Sequence, residues 1–244
     1  MVPIPVALDG RPFDDTTELV DDFYSRLRDG ALATTSQPSP AQLGEAYDRA
    51  ASRGAQSVVS IHLDARASGT VSSAELAARD ARIPVTVVDT RTVSFGVGVC
   101  VRTAAEVAAA GGSRQDAIEA ATRRGAAMEN VFVARDSRLG GRVPAEGAAW
   151  ALLSFEGGSA ALISECPSVA ETVDAIESRA RRSERPISIA VGHAGRDVEA
   201  AADELAHRLI GSDGIQTVER YRVGASIGAH TGPDSFGMFW WPAR

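Results

Sequence analysis

A chain of 244 residues with a net charge of −7 and no lysine among its 25 basic residues excludes several kinds of function. Without lysine it has no Schiff-base nucleophile, no P-loop and no protein-kinase active site, and a negative charge disfavours a nucleic acid partner. No apolar run approaches the roughly 18 residues of a membrane span, and Cys100 and Cys166 fit neither a disulfide framework nor a metal-ligand spacing. We therefore expect a cytoplasmic protein without integral membrane association.

The first half of the chain alternates between helical and strand patterns. Amphipathic helices are predicted between Asp15 and Gly30, and from a capping box that begins at Ser39 to Gly54. The later patterns predict, in chain order, a strand at 57–63, a helix at 71–82, a strand at 85–89, helices at 97–110 and 113–127, and a strand at 131–134. Such alternation is typical of βαβ units. We expect an α/β fold with a mainly parallel sheet and helices on both of its faces.

The second half of the chain has a different order of elements. The patterns predict a short apolar helix at 148–153, a strand at 159–164, a helix at 169–182, a strand at 187–191, a helix at 198–210 and strands at 217–221 and 236–241. This order favours a smaller α+β domain. We therefore predict two domains, residues 1–136 and residues 137–244, with a cleft between them.

Two patterns that could support catalysis or metal binding are weak. The segment GASIG at 224–228 matches the GxSxG nucleophile elbow, but an elbow needs a following helix, and AHTGPDSFG is not expected to form one. An elbow also needs a histidine after the acidic residue, and no histidine follows His230. The four histidines lie far apart and have no cysteine partner, so no metal site is predicted. We expect a protein that is not an enzyme and that uses no cofactor.

Hydroxyl side chains are concentrated in the stretch ATTSQPSP, where Ser39 is explained as a helix cap. Thr34, Thr35 and Ser36 cannot all cap one helix, and the SGT segment at 68–70 adds hydroxyls between a predicted strand and a helix. In parallel sheets such loops lie at the edge where ligands bind. Turns and caps account for many such residues, but clustered neutral donors near helix N-termini also suit an anion such as a carboxylate or a phosphate.

Five motifs occur in an order that resembles the DegV family of fatty-acid-binding proteins: TTSQPSP, ASGTVSSAELAA, VTVVDTRTVSFGVGVCV, DSRLGGRV and GAHTGP. The resemblance extends from Val2 to Trp241, and five motifs in register are specific although each alone is weak. It implies two α/β domains with one long-chain fatty acid in the cleft between them, in a carrier that is not a catalyst. It also implies a partner, because in some bacteria such proteins present the acyl carboxylate to a separate fatty acid kinase.

The resemblance further implies which residues surround the ligand. Thr35 and Ser36 in the TSQPS motif and Ser68 in the SGT motif match the hydroxyls that hold the carboxylate. Burying an unpaired carboxylate costs on the order of several kcal/mol, so several donors must meet it. The other positions that the resemblance places at the ligand are Gly69, Thr70, Arg142 in the GGR turn, and His230 and Thr231 in the HTGP motif.

Three departures from the family pattern leave a second hypothesis open. The resemblance leads us to expect a strand and a TDS-type loop ahead of VPIPV, so either the sheet lacks this element or the start of the sequence is assigned too late. The region after the GGR turn is also expected to be shorter than in the family. Asp234 replaces a glycine after HTGP, where it is expected either to lie near the head group or to face solvent in the turn. The second hypothesis is a divergent member that has lost lipid binding and acts as an interaction or regulatory protein.

Overall fold

The computed structural model describes residues 1–16, 18–135, 149–183 and 186–243. The strands are β1 Val6–Leu8, β2 Arg11–Phe13, β3 Ala33–Thr35, β4 Val58–His62, β5 Val85–Asp89, β6 Glu129–Ala134, β7 Trp150–Glu156, β8 Ser159–Cys166, β9 Ile187–His193, β10 Ile215–Arg222 and β11 Phe236–Pro242. The helices are α1 Val20–Arg28, α2 Pro40–Ser52, α3 Thr70–Arg79, α4 Phe95–Ala109, α5 Arg114–Ala126, α6 Val169–Arg182, α7 Glu199–Leu209 and α8 Ala225–Thr231. The α/β fold class predicted from the sequence is confirmed.

The chain divides into two compact units, and each is built from separate segments. The first unit contains Met1–Pro5, Ser36–Met128 and Gly157–Ser159. The second unit contains Val6–Thr35, Glu129–Glu156 and Ala160–Arg244. This division differs from the consecutive ranges 1–136 and 137–244 expected from the sequence. The difference arises because α1 packs in one apolar core with residues of the C-terminal half such as Val223 and Ala229.

The first unit is built on a parallel pair of strands with helices on both faces. β4 and β5 pair in register from Val58 opposite Val85 to His62 opposite Asp89. Successive residues of a strand point to opposite faces, so β4 contributes Val58 to the core under α2 and α3, and Val59 to the core under α4 and α5. The helices on both faces thus follow from the apolar residues that the strands direct to each side.

The N-terminus of α2 has the capping box predicted from the sequence. The backbone N–H of Gln42 donates to Ser39 Oγ at 3.2 Å, and the backbone N–H of Ser39 donates to Gln42 Oε1 at 2.9 Å. Pro40 occupies the first helical turn, where its missing N–H has no cost. The helix therefore begins where the local sequence predicts.

The second unit contains a six-stranded sheet in the order β10-β9-β11-β6-β7-β8. β9 and β10 are parallel, β11 is antiparallel to both β9 and β6, and β6 is antiparallel to β7. The helices α6 and α7 pack on one face, around Ile176, Leu205 and Leu209. The strand predicted at 131–134 therefore belongs to this sheet and not to the parallel pair, because Val131 and Val133 are buried in the core under α6 and α7.

The helix predicted at 148–153 is wrong, since the described residues from 150 onwards form the strand β7. Trp150 and Leu152 face the core of α6 and α7, while Ala151 and Leu153 are buried on the opposite face of the sheet. A strand buried on both faces is apolar at every position, and its pattern cannot be distinguished from that of a buried helix. No helix among the described residues combines the length and the apolar character needed to span a membrane.

A three-stranded antiparallel sheet, β2-β1-β3, lies at the start of the second unit. It shares an apolar core with α1 and α8, in which Leu8, Phe23 and Tyr24 are at most 1% exposed. This small sheet matters for function because its strand β3 ends at Thr35.

Candidate functional site

In the second unit, the structure brings together Thr35 and His230, which lie 195 positions apart in the sequence. Thr35 is the last residue of β3 and pairs with Val6 of β1. Its Oγ1 lies 2.9 Å from Nε2 of His230, and the tautomer of the ring decides which atom donates. Partial desolvation lowers the pKa of His230, which favours the neutral imidazole. This pair offers neutral hydrogen-bonding groups and no fixed charge.

His230 lies in the helix α8. The sequence analysis predicted no helix for AHTGPDSFG, and that prediction is wrong for its first three residues. The helix forms at Ala225–Thr231 because its first N–H groups have an acidic partner that is distant in sequence. The backbone N–H groups of Ala225 and Ser226 donate to the carboxylate of Asp15 at 2.9 and 3.1 Å. The residues just before α8 are also bonded, because the hydroxyl of Tyr24 donates to the carbonyl of Val223 at 2.8 Å.

The presence of α8 does not make the segment GASIG a nucleophile elbow. An elbow holds its serine in a strained turn, but the non-glycine residues with positive φ in the described chain are Asp9, Arg91 and Ser94. Ser226 instead lies in the first turn of α8, where its N–H is engaged by Asp15. The segment therefore supports a helix start that positions His230.

In the first unit, the SGT loop places two hydroxyls in direct contact. Ser68 Oγ and Thr70 Oγ1 lie 2.7 Å apart, and the backbone N–H of Thr70 donates to Ser68 Oγ at 3.3 Å. Thr70 is 3% exposed, whereas Ser68 is half-buried. A hydroxyl can donate to only one acceptor at a time, so one proton of this pair is available to a ligand.

Asp64 supports the SGT loop, and the sequence motifs did not identify it. Its carboxylate is fully buried and accepts hydrogen bonds from the backbone N–H, Nε and Nη2 of Arg66. These bonds from Arg66 lower the pKa of Asp64, so the carboxylate stays ionised. The Asp64 carbonyl also accepts from the N–H groups of Ala67 and Ser68 at 3.0 and 3.3 Å. The D-x-R spacing in DARASGT is the local signal that could have indicated this turn.

The TSQPS segment reaches the SGT loop through Gln37. A side chain on Gly69 would overlap Gln37 Oε1, so the carboxamide lies directly on the glycine. Ser36 is exposed, and its backbone N–H donates to the carbonyl of Pro5 at 3.1 Å. The first unit therefore places Gln37 of the TSQPS segment against Gly69 of the SGT segment.

The remaining residues that the sequence analysis discussed are in neither the Thr35–His230 pair nor the SGT loop. Arg142, with Gly140 and Gly141 of the GGR turn, lies outside the described residues. Thr231 Oγ1 donates to the carbonyl of Ile227 at 3.4 Å, one turn earlier in α8. Asp234 forms an ion pair with Arg28 at 3.1 Å, and the same guanidinium pairs with Asp197 at 2.9 Å. The charge of Asp234 is therefore compensated by Arg28.

The half-buried His62 and the buried His193 have structural partners. Tyr47 Oη lies 2.9 Å from Ser60 Oγ, which lies 2.7 Å from His62 Nε2, and burial lowers the pKa of His62. His193 lies between Arg220 and Arg222. Among residues 1–16, 18–135, 149–183 and 186–243, no group of His, Cys, Asp or Glu side chains has the arrangement of a metal site. The chemistry of the two hydroxyl clusters is thus hydrogen bonding by neutral groups.

Comparisons with known proteins agree with the motif pattern. A model of the DegV family, described as an uncharacterised protein family, matches residues 1–243. A DegV domain-containing protein of Streptomyces coelicolor is 36% identical over 252 residues, covering 97% of this chain and 89% of the relative. A DegV domain-containing protein of Mycobacterium tuberculosis is 31% identical over 257 residues, covering 97% of this chain and 88% of the relative.

Solved structures show the same fold. A DegV family protein from Thermus thermophilus, described by its fatty acid binding, has a TM-score of 0.87 and 28% identity, covering 98% of this chain and 90% of that chain. A protein from Thermotoga maritima, described as revealing a fatty acid binding function, has a TM-score of 0.87 and 26% identity with the same coverage. The fatty acid binding protein DegV from Bacillus subtilis has a TM-score of 0.79 and 26% identity, covering 99% and 90%.

Proposed function

Because this chain belongs to the DegV family, we propose that it binds one long-chain fatty acid and carries it without chemical change. The observation that supports this most directly is the hydrogen bond between Thr35 and His230, which joins two family motifs from opposite ends of the chain. The fatty acid binding described for the similar Thermus and Thermotoga proteins supports it further. The cleft between two domains stays a prediction.

In the proposed complex, hydrogen bonds hold the polar head of the fatty acid and apolar burial stabilises its tail. The carboxylate accepts hydrogen bonds from Thr35, Ser36 and Ser68, with Thr70 and His230 orienting these donors. Hydrogen bonds to a charged acceptor contribute about 1.5–3 kcal/mol each. Each buried methylene of the tail adds about 0.8 kcal/mol before the costs of binding. A chain of roughly 14 to 18 carbons is therefore expected to be retained during purification.

Mass spectrometry of an organic extract of the purified protein tests the proposal. We expect one dominant fatty acid, and we expect the delipidated protein to gain thermal stability when palmitate or oleate is added. An extract without lipid, together with no thermal shift, would support the second hypothesis of an interaction or regulatory protein.

Substitutions test the head-group residues. Ser68→Ala, and Thr35→Ala combined with Ser36→Ala, should weaken palmitate binding by about 1–3 kcal/mol, because each removes donors to a buried charge. Ser72→Ala on the exposed side of α3 and Ser226→Ala on α8 are matched controls that should bind as the wild type does. Loss of binding in the controls, with normal binding in the Ser68 variant, would place the site elsewhere.

The family resemblance extends the proposal to a partner, a separate fatty acid kinase that phosphorylates the presented carboxylate. Protein loaded with labelled palmitate should yield a labelled acyl phosphate, trapped as a hydroxamate, when a bacterial fatty acid kinase and ATP are added. Loaded protein that gives no acyl phosphate while free kinase remains active on another carrier would restrict the function to binding.

A further inference from the structure

The carboxamide of Gln37 occupies the space that a side chain at Gly69 would need. A Cβ built on Gly69 would overlap Gln37 Oε1 and would stand 2.7 Å from Cδ and 3.2 Å from Nε2. Gly69 has φ −70° and ψ 7°, a conformation that any residue can adopt. The backbone therefore does not require glycine here. What glycine provides is room for the amide between Ser68 and Thr70.

The Gln37 side chain has polar atoms that no described residue satisfies. None of the hydrogen bonds among the described residues involves its carboxamide, and the residue is exposed. Its backbone is restrained, because Pro38 follows it and is buried, and a residue before proline is confined to extended conformations. The amide thus lies at the SGT loop with both of its N–H donors free of partners among the described residues.

The neighbours of this amide are the hydroxyls assigned above to the ligand. Ser36 precedes Gln37 directly, and the Ser68–Thr70 pair, with its oxygens 2.7 Å apart, flanks the glycine that the amide covers. Arg66, in the same loop, has Nε and Nη2 engaged by Asp64. Among the described side chains of this loop, the Gln37 carboxamide therefore offers further uncharged donors to a carboxylate.

We propose that Gln37 is a head-group residue, which donates from Nε2 to the carboxylate of the bound fatty acid, and that Gly69 is required because any side chain there displaces the amide. This inference rests on the proposed function. It assigns a specificity role to the motif TSQPS beyond its hydroxyls. It also explains why the SGT loop has glycine at a position with ordinary backbone angles.

A double-mutant cycle on palmitate affinity tests the coupling of the two residues. Gln37→Ala and Gly69→Ala should each weaken binding by about 5- to 100-fold, the range for loss of a donor to a charged acceptor. The double variant should bind no more weakly than either single variant, because Gly69 acts only through Gln37. Gly44→Ala in α2, where a Cβ meets no atom within 4 Å, is the matched control and should bind as the wild type does.

The variant Gln37→Glu separates a ligand contact from a packing role. Glutamate has nearly the same shape but carries a charge that repels a carboxylate, so palmitate should bind more weakly than it does to Gln37→Ala. Methyl palmitate has no charge, so its affinity should fall no further in Gln37→Glu than in Gln37→Ala. Circular dichroism and thermal unfolding of each variant confirm that the fold is intact.

The possible failures are distinguishable. Additive effects of Gln37→Ala and Gly69→Ala, or wild-type affinity for palmitate in Gln37→Glu, would overturn the role of Gln37 and leave the proposed function intact. If the wild type binds neither palmitate nor oleate, the proposed function is overturned together with this inference. Normal palmitate binding by Ser68→Ala with weak binding by Gln37→Ala would support the amide as the principal donor.

Discussion

At the scale of single residues, His193 has surroundings that disfavour its charged form. The residue is 7% exposed, with Nδ1 3.1 Å from Arg220 Nη2 and Nε2 3.2 Å from Arg222 Nη1. Burial is the main cause that lowers its pKa, followed by the two guanidinium groups. The carboxylates of Glu199 and Asp203 act in the opposite direction without reversing the shift. The folded protein therefore keeps this histidine neutral.

The lowered pKa of His193 predicts a loss of stability at acidic pH. Below the ordinary histidine pKa of about 6.5, His193 binds a proton in the unfolded chain but stays neutral in the folded protein. The free energy of unfolding then falls with decreasing pH, by up to about 1.4 kcal/mol per pH unit for one proton. His193→Gln should reduce this slope in urea unfolding between about pH 7 and pH 5. His207→Gln, at an exposed position of α7, is the control, and equal slopes in all three proteins would contradict the prediction.

At the scale of secondary structure, α8 depends on partners that are distant in sequence. Its seven residues are too few for a helix that is stable by itself. Asp15 accepts two N–H groups at its start, and Gly228 lies against the ring of Tyr24, where a Cβ would be 2.7 Å from Cε1. The position of His230 is therefore determined by the N-terminal segment.

Asp15→Ala should loosen α8 and weaken ligand binding together. Loss of the two hydrogen bonds to a charged acceptor should cost about 1–3 kcal/mol in the free energy of unfolding. Because α8 carries His230, palmitate affinity should also fall. Asp14→Ala, at the exposed neighbouring position, is the matched control. Urea unfolding and palmitate titration check both effects, and identical behaviour of the two variants would show that Asp15 does not hold the helix.

At the scale of the whole molecule, the segmented composition of the units predicts how fragments behave. In a fragment of residues 1–136, α1 keeps its apolar residues but loses core partners such as Val223, Ala225 and Ala229. Phe23 and Leu27, which are 0% and 3% exposed in the intact chain, would then face water. A fragment of residues 36–128 contains the main segment of the first unit without α1.

We expect fragment 1–136 to bind the dye ANS strongly and to aggregate, because the exposed apolar residues of α1 favour association. Fragment 36–128 should bind less dye per residue, because its apolar residues belong to the two cores around β4 and β5. Fluorescence titration and analytical ultracentrifugation measure the two outcomes. Equal dye binding by both fragments would indicate that the apolar residues of Val6–Thr35 are buried without the C-terminal half.

The sequence by itself determined those features that depend on neighbours along the chain. The helix predicted at 169–182 coincides with α6, and the capping box at Ser39 marks the start of α2, because periodicity and capping act within a few residues. The hydroxyl-rich loops likewise indicated a site for an anion, since the chemistry of a donor is a property of the residue. The resemblance to the DegV family named Thr35 and Ser68 as carboxylate-binding residues, and that assignment stays a prediction. Five such motifs in order were sufficient to identify the family.

Only the tertiary structure decided which residues meet. β7 was predicted as a helix because burial on both faces of a sheet removes the alternation that identifies a strand. The helix α8 depends on Asp15, 210 positions earlier, and the contact of Thr35 with His230 spans 195 positions. The fit of Gln37 onto Gly69 likewise joins two loops that no local pattern connects. These pairings arise from packing between segments that are distant in sequence, and a local sequence pattern therefore cannot predict them.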